Sequence, residues 1–201
     1  MNVAILGGTG KFGRALAMRL VEAGDDVVIG SRDAGRARAT AEELGVRGAR
    51  NDEVGDVDLV VLAVEAHAAL PTVRDLPLAA PLLTVAAEVA VADGVARPGP
   101  PGPSIAERVA EVVDVEVAAG LHSLAARPLA KSRPDQDAFV CGDDDEAKRL
   151  ALELAAKVIR GRAVDAGPLA SARALESMTA VLLNLNRAYK THVGLRITGI
   201  P

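Results

Sequence analysis

Short apolar runs alternate with stretches of helical periodicity through the first half of the chain. Phe12, Leu16 and Leu20, for example, recur at a spacing of four residues and form one face of a helix. Strands that alternate with helices in this way predict an α/β fold with a doubly wound, mainly parallel sheet. The predicted strands span residues 2–6, 26–30, 58–64 and 82–87, and the predicted helices span 11–24, 33–44 and 66–76.

The second half continues the pattern less regularly. Ser104 and Glu107 form a capping box that begins a helix. The segment Arg97–Pro103 holds four prolines in seven residues, which predicts a surface loop. We divide the chain into residues 1–167, which carry the sheet, and a small helical part, residues 168–201. Further strands are predicted over 115–120, 137–142 and 163–166, and helices over 144–160 and 171–190.

A glycine-rich turn follows the first strand and opens the first helix. Gly8 lets the chain turn, Gly10 lets a pyrophosphate approach the backbone, and Gly13 lets the helix pack close to the sheet. The first N–H groups of the helix and its dipole then favour the phosphates. This arrangement is typical of a Rossmann-type dinucleotide site. The motif is Gly8-Thr9-Gly10-Lys11-Phe12-Gly13.

The end of the second strand indicates which dinucleotide binds. NAD-selective folds usually place a carboxylate there to bind the ribose 2′-hydroxyl. This chain has Ser31 and Arg32 at that place, with Arg36 about one helical turn further on. A hydroxyl and guanidinium groups bind a 2′-phosphate, whereas a carboxylate repels it. The residues therefore favour NADP over NAD.

The composition excludes several classes of binding partner. Half of the 201 residues are hydrophobic but only 1% are aromatic, which disfavours nucleic acid binding by base stacking. The net charge is −4 and no basic stripe suggests a duplex-binding surface. No apolar run reaches about 18 residues, so we expect no membrane span. The chain runs at once into a strand and has one cysteine, Cys141, which indicates a cytoplasmic protein without a disulfide.

Two other kinds of site are disfavoured. The acids at 143–146 open a predicted helix, where they complement its dipole, and no histidine is near them in sequence. We therefore expect no metal. A short-chain dehydrogenase needs Tyr-x-x-x-Lys, but the single tyrosine, Tyr189, has Val193 four residues later.

Taken together, these stretches resemble the NADPH-dependent F420 reductases (F420H2:NADP oxidoreductases). The match runs in order through most of the chain. It rests on Val3–Arg32, Leu121-His122-Ser123, Val140-Cys141-Gly142-Asp143-Asp144-Asp145-Glu146, Asp165-Ala166-Gly167-Pro168-Leu169 with Ser171–Glu176, and Gly194-Leu195-Arg196-Ile197-Thr198-Gly199.

The resemblance implies hydride transfer between C4 of the nicotinamide and C5 of the deazaflavin coenzyme F420, with the two rings stacked. Such transfer depends on positioning and exclusion of water, so no catalytic side chain is implied. It also implies a homodimer, to which Leu182, Leu183 and Leu185 could contribute. By matched position, Thr9 to Phe12 bind the pyrophosphate, Ser31, Arg32 and Arg36 the 2′-phosphate, Val64, His67, Val89 and Ala126 the nicotinamide half, and His122, Val193 and Gly194 the deazaflavin.

The acceptor side leaves alternatives open. Glu65-Ala66, Ala86–Ala90 and Leu124-Ala125 stand where the family commonly has prolines or an aromatic residue. These departures are compatible with an NADPH-dependent reductase of another acceptor, such as a flavin or ferric iron, or with a non-catalytic NADP-binding sensor. Four cations near the C-terminus favour F420, whose phosphate and glutamate tail is anionic. They are Arg173, Arg187, Lys190 and Arg196.

Overall fold

The structure is a computed structural model that describes residues 1–200. These residues contain ten strands and seven α-helices. In chain order they are β1 (Asn2–Leu6), α1 (Lys11–Glu22), β2 (Asp26–Ser31), α2 (Ala34–Leu44), β3 (Arg47–Arg50), β4 (Leu59–Leu62), α3 (Ala66–Val73), β5 (Leu82–Thr84), β6 (Val89–Ala92), β7 (Val95–Pro98), α4 (Ile105–Ala110), β8 (Val117–Gly120), α5 (Ala126–Lys131), β9 (Ala138–Gly142), α6 (Asp145–Val158), β10 (Ala163–Asp165) and α7 (Ala172–Tyr189).

Eight strands form one sheet in the order β10-β9-β8-β5-β4-β1-β2-β3. All neighbours in this sheet are parallel except β8 and β9, which are antiparallel. The order reverses between β1 and β4, so the carboxyl ends of these two strands flank a topological switch point. The predicted Rossmann-type, mainly parallel sheet is thus confirmed.

Helices cover both faces of the sheet. Alternate residues of β1 point to opposite faces, with Val3 and Ile5 on one and Ala4 and Leu6 on the other. The first face packs against α1, α2, α5 and α6, and the second against α3, α4 and the start of α7. Both layers are built almost wholly from Ala, Val, Leu and Ile. Because aromatic residues are so few, close packing of small side chains supplies the core.

Three elements differ from the expectations drawn from sequence. β3, Arg47–Arg50, is an edge strand with an arginine at each end, so it lacks an apolar run. α5 follows an irregular segment and has only six residues. The predicted proline-rich loop is wrong for Arg97 and Pro98, which end the β6–β7 hairpin, where Pro98 pairs with Val89. A two-stranded hairpin tolerates a proline at its end because the missing N–H need not serve a central ladder.

The acidic stretch at 143–146 serves the backbone. The Asp144 side chain accepts a hydrogen bond from the N–H of Ala147 at 2.7 Å and so caps α6. Asp143 accepts one from the N–H of Leu169 at 2.9 Å. Residues 1–200 hold no group of three or more His, Cys, Asp or Glu side chains that could bind a metal ion. Among the helices of these residues, none combines the length and apolarity that crossing a bilayer requires.

Candidate functional site

The turn between β1 and α1 is built around glycine. The left-handed conformation is at Gly7, with φ of +84°, where a Cβ would lie 2.5 Å from the carbonyl oxygen of Ala63. Gly8 is needed for packing, since its Cβ would lie 3.0 Å from the side chain of Ile29. Both N–H groups donate to the carbonyl of Gly30, at 3.1 and 3.2 Å. The turn is therefore locked between β2 and β4, at the switch point.

Helix α1 begins without a side-chain cap. Gly10 is its N-cap residue, no side chain accepts from the first N–H groups, and the first turn holds no acid. A Cβ on Gly13 would lie 2.6 Å from the carbonyl oxygen of Gly7, so only glycine lets the helix approach the turn this closely. By contrast, the nearest atom to a Cβ on Gly10 is 3.2 Å away. An uncapped helix start that follows a glycine suits an anion such as a pyrophosphate.

The end of β2 presents two arginines. Ser31 is buried, and its Oγ accepts from the N–H of Asp33 at 3.2 Å. Asp33 caps α2 by accepting from the N–H of Arg36 at 3.0 Å, and this hydrogen bond lowers the pKa of the Asp33 carboxyl. Arg32 and Arg36 are exposed, and among residues 1–200 neither guanidinium forms an ion pair. The carboxylate of Asp33 is thus occupied by the helix, which leaves the two arginines for a phosphate.

One cavity joins the glycine turn to these arginines at the carboxyl edge of the sheet. Seven of the residues proposed from sequence line it: Thr9, Gly10, Ser31, Arg32, Arg36, Val64 and His67. Among those that line it without having been predicted are Gly7, Asn51, Ala63 and Thr72. Asn51 was missed because it follows β3, which has no apolar pattern. Of the motif residues outside the cavity lining, Gly8 and Gly13 are buried, Phe12 packs against the core and Lys11 is exposed.

His122 lies at the end of β8 and is buried. Its Nε2 is 3.2 Å from the carbonyl oxygen of Ala86, and within residues 1–200 its Nδ1 is buried without a hydrogen-bond partner. Burial lowers the pKa of His122 to about 4, although the hydrogen bond to Ala86 partly opposes this. The imidazole is therefore neutral near pH 7, with Nε2–H donating to Ala86. It joins the ends of two neighbouring strands, β5 and β8.

The C-terminal segment is linked to Ser123, the residue after this histidine, through Gln136. A Cβ on Gly194 would lie 2.0 Å from Oε1 of Gln136, and Nε2 of Gln136 donates to the carbonyl of Ser123 at 3.2 Å. Val193 donates its N–H to Oδ1 of Asn186 at 2.7 Å. Gly194 is thus held one side chain away from the residue after His122, and Val193 is held by the side chain of Asn186 on α7.

Two other predicted positions lie at the starts of elements. Val89 opens the β6–β7 hairpin and does not end the preceding strand, because β5 stops at Thr84. Ala126 opens α5, four residues after His122. Neither residue lines the cavity that holds Arg32.

Three of the four C-terminal cations have protein partners. Arg173 donates to the carbonyls of Gly99 and Pro100, Arg187 to that of Gly94, and Arg196 pairs with Asp135. Lys190 instead lies in a groove between α5 and the end of α7. That groove, the cationic groove below, is lined by Arg127, Pro128, Lys131, Asn186, Arg187, Lys190, Thr191 and His192, and so contains no acid.

Comparison with known proteins identifies the family of this chain. A family model described as NADP oxidoreductase, coenzyme F420-dependent, matches residues 2–87. The F420-dependent NADP reductase of Methanothermobacter thermautotrophicus is 35% identical over 100% of this chain and 96% of its own length. That of Methanocaldococcus jannaschii is 32% identical, covering 100% and 99%. A crystal structure from Arthrobacter sp. FB24, provisionally described as an F420-dependent NADP reductase, has the same fold, with a TM-score of 0.85, 24% identity and coverage of 99% and 100%. The chain belongs to the F420-dependent NADP reductase family.

Proposed function

We propose that the protein transfers a hydride between NADP(H) and the deazaflavin coenzyme F420. The observation that supports NADP as one of the two coenzymes is a single cavity that joins an uncapped helix start to Arg32 and Arg36. Phosphate oxygens fit both ends of such a cavity, because one end offers backbone N–H groups and the other unpaired guanidiniums. Membership of the family supports F420 as the partner of NADP.

When bound, the two coenzymes supply the chemistry, since one donates the hydride and the other accepts it. The protein's own work is to position them and exclude water. Thr9 to Phe12 would hold the pyrophosphate, and Ser31, Arg32 and Arg36 the 2′-phosphate. His122 stays neutral and donates to Ala86, so it serves as a fixed wall of the site and not as a proton donor. Val64, His67, Val89 and Ala126 would flank the nicotinamide half, and Val193 and Gly194 the deazaflavin.

The cationic groove supports an anionic acceptor. Arg127 and Lys131, on α5, line this groove together with Lys190, which follows α7. Ala126, which we place at the nicotinamide, directly precedes Arg127. Cations without an interleaved acid attract a ligand that carries a phosphate and carboxylates. Of the four cations expected from sequence, Arg187 and Lys190 line this groove, whereas Arg173 and Arg196 bind protein oxygens elsewhere.

We also propose a cytoplasmic homodimer in which residues 168–201 close the acceptor side. The exposed apolar side chains Val181 and Leu183 on α7 and Val91 and Val95 on the hairpin would form part of its interface. Leu182, which was proposed for this role from sequence, is buried in the monomer. Sedimentation of the wild type and of Leu183→Lys tests the dimer, which the lysine should weaken.

The decisive experiment is an acceptor comparison. The protein is mixed with NADPH and, in turn, F420, FMN or ferric citrate, while NADPH absorbance is followed. Oxidation that requires F420 supports the proposal. Oxidation with only FMN or ferric citrate would replace it with a flavin or iron reductase, which the altered residues Glu65-Ala66 and Leu124-Ala125 would then explain. Binding of NADPH without turnover on any acceptor would indicate a sensor.

A further inference from the structure

Asn51 has a buried polar atom without a partner. The residue follows β3 directly and is only 8% exposed. Its Oδ1 is inaccessible to solvent and, within residues 1–200, accepts no hydrogen bond. A buried acceptor left without a donor destabilises the fold, because the loss of its hydration is not compensated. This loss is compensated when a ligand supplies the missing donor, so an unpartnered amide oxygen on a residue that lines a cavity points to a ligand group.

The surroundings of Asn51 define which ligand that is. Asn51 lines the same cavity as Thr9, Ser31 and Arg32. Its predecessor, Arg50, pairs with Ser31 in the sheet. A Cβ on Gly30 would lie 3.0 Å from Oδ1 of Asn51, so the glycine leaves room for the amide over the end of β2. The carbonyl of Gly30 also binds the glycine turn. Asn51 therefore lies between the proposed pyrophosphate and 2′-phosphate positions.

We propose that the Asn51 amide turns towards the cavity when the nucleotide binds, so that Oδ1 accepts a hydrogen bond from the adenosine half of NADP(H). This inference rests on the proposed function for the identity of the dinucleotide. The phosphates have no donor at neutral pH, and the 2′-position carries one of them. The donors that remain in this half are the ribose 3′-hydroxyl and the exocyclic amine of adenine. Asn51 thus recognises the nucleoside, while Arg32 and Arg36 recognise its charge.

The test replaces Asn51 with an apolar residue of similar size. The probe is adenosine 2′,5′-bisphosphate, bound to the purified full chain and measured by calorimetry, with no acceptor present. For Asn51→Leu we expect binding about tenfold or more weaker, because a hydrogen bond is lost. The unfolding temperature of the nucleotide-free protein should stay the same or rise, because the unpaired acceptor is gone.

A matched control is Asn184→Leu. Asn184 accepts from the N–H of Ala96 and donates to its carbonyl, both at 2.8 Å. Its loss should lower the unfolding temperature and leave bisphosphate affinity unchanged. If Asn51→Leu behaves like this control, Asn51 is only structural and the inference is overturned. Asn51→Ala provides the same comparison if the leucine variant does not fold.

A nucleotide analogue identifies the donor. The hypoxanthine analogue of NADPH lacks the exocyclic amine. A smaller loss of affinity on Asn51→Leu with this analogue than with NADPH assigns the bond to the amine, and an equal loss assigns it to the ribose hydroxyl. Equal binding of the bisphosphate by the wild type, Asn51→Leu and Asn184→Leu overturns this inference but leaves the proposed NADP site standing. Failure of the wild type to bind the bisphosphate or NADPH overturns the proposed NADP site as well.

Discussion

The carboxylate of Asp137 ties Arg162 and Ile197 together at the edge of β9. Oδ1 accepts from the N–H of Arg162 at 2.9 Å, and Oδ2 accepts from its guanidinium and from the N–H of Ile197, each at 2.8 Å. The N–H of Asp137 donates to the carbonyl of Leu195 at 2.7 Å. One buried side chain thus anchors the C-terminal segment that contains Val193 and Gly194. The same hydrogen bonds hold the pKa of Asp137 well below its usual range.

Asp137→Asn should therefore loosen this segment. The free energy of unfolding should fall by about 1.5–3 kcal/mol, since bonds to a charged group are lost. Trypsin should then cleave after Arg196 faster than in the wild type, as followed by mass spectrometry. Asp135→Asn is the control, because its pair with Arg196 is more than half exposed and contributes about 0–1 kcal/mol. Equal effects of the two substitutions would refute the anchoring role.

His122 predicts a pH dependence of stability. Its pKa is about 4 in the folded protein and 6.5 ordinarily, so between these values the unfolded chain binds the extra proton. Its contribution to stability is complete above pH 6.5 and is lost as the pH falls towards 4, at up to about 1.4 kcal/mol per pH unit. Asp137 adds its own loss only below its ordinary value of 3.8. The free energy of unfolding, measured in urea, should fall more steeply with decreasing pH for the wild type than for His122→Asn within this window. Equal pH dependence of the two proteins would refute the assignment.

Arg32→Ala should change the choice of cofactor. NADPH affinity should fall by about 1.5–3 kcal/mol through loss of a charge-assisted contact, and NADH affinity should change little. Dissociation constants from the fluorescence of the bound dinucleotides measure both. Arg38→Ala, on the same surface but outside the cavity, should alter neither. An equal loss for NADPH and NADH would contradict a 2′-phosphate site.

Two glycines of the turn should respond differently to substitution. Gly13→Ala should destabilise the fold, because its Cβ would lie 2.6 Å from a backbone oxygen. Gly10→Val should still fold, because the backbone oxygen 3.2 Å from its Cβ needs to shift only slightly. It should bind neither NADPH nor NADH, because the side chain blocks the phosphates. Thermal unfolding and dinucleotide binding separate the two effects. Tight binding by folded Gly10→Val would be incompatible with a phosphate at this turn.

The cationic groove should affect the acceptor alone. The double variant Lys131→Ala, Lys190→Ala should raise the KM for F420 several-fold and leave NADPH affinity unchanged. Added salt should reduce the difference between variant and wild type, because exposed charges are screened. Lys148→Ala is the control, since Lys148 pairs with Asp165 elsewhere. A KM that matches the wild type would show that the groove does not serve the acceptor.

The sequence predicted the sheet and the glycine turn because each depends on local pattern, and seven of the proposed site residues line one cavity. Apolar runs determined the central strands, and the spacing of Gly8, Gly10 and Gly13 determined the turn. Asn51 and the cationic groove depend on tertiary contacts, since Arg127 and Lys190 are distant in sequence and meet only after folding. The pairing of Arg173 with the carbonyls of Gly99 and Pro100 was equally beyond prediction, because it joins a helix to a loop 74 and 73 residues away.

Both edges of the main sheet are poor templates for another strand. β3 ends in exposed arginines at 47 and 50, and β10 has only three residues and ends in Asp165. Charged, short edges resist strand addition and so protect a β-rich protein from amyloid-like growth. The proposed homodimer should therefore use helix and hairpin faces and not the addition of strands to the main sheet.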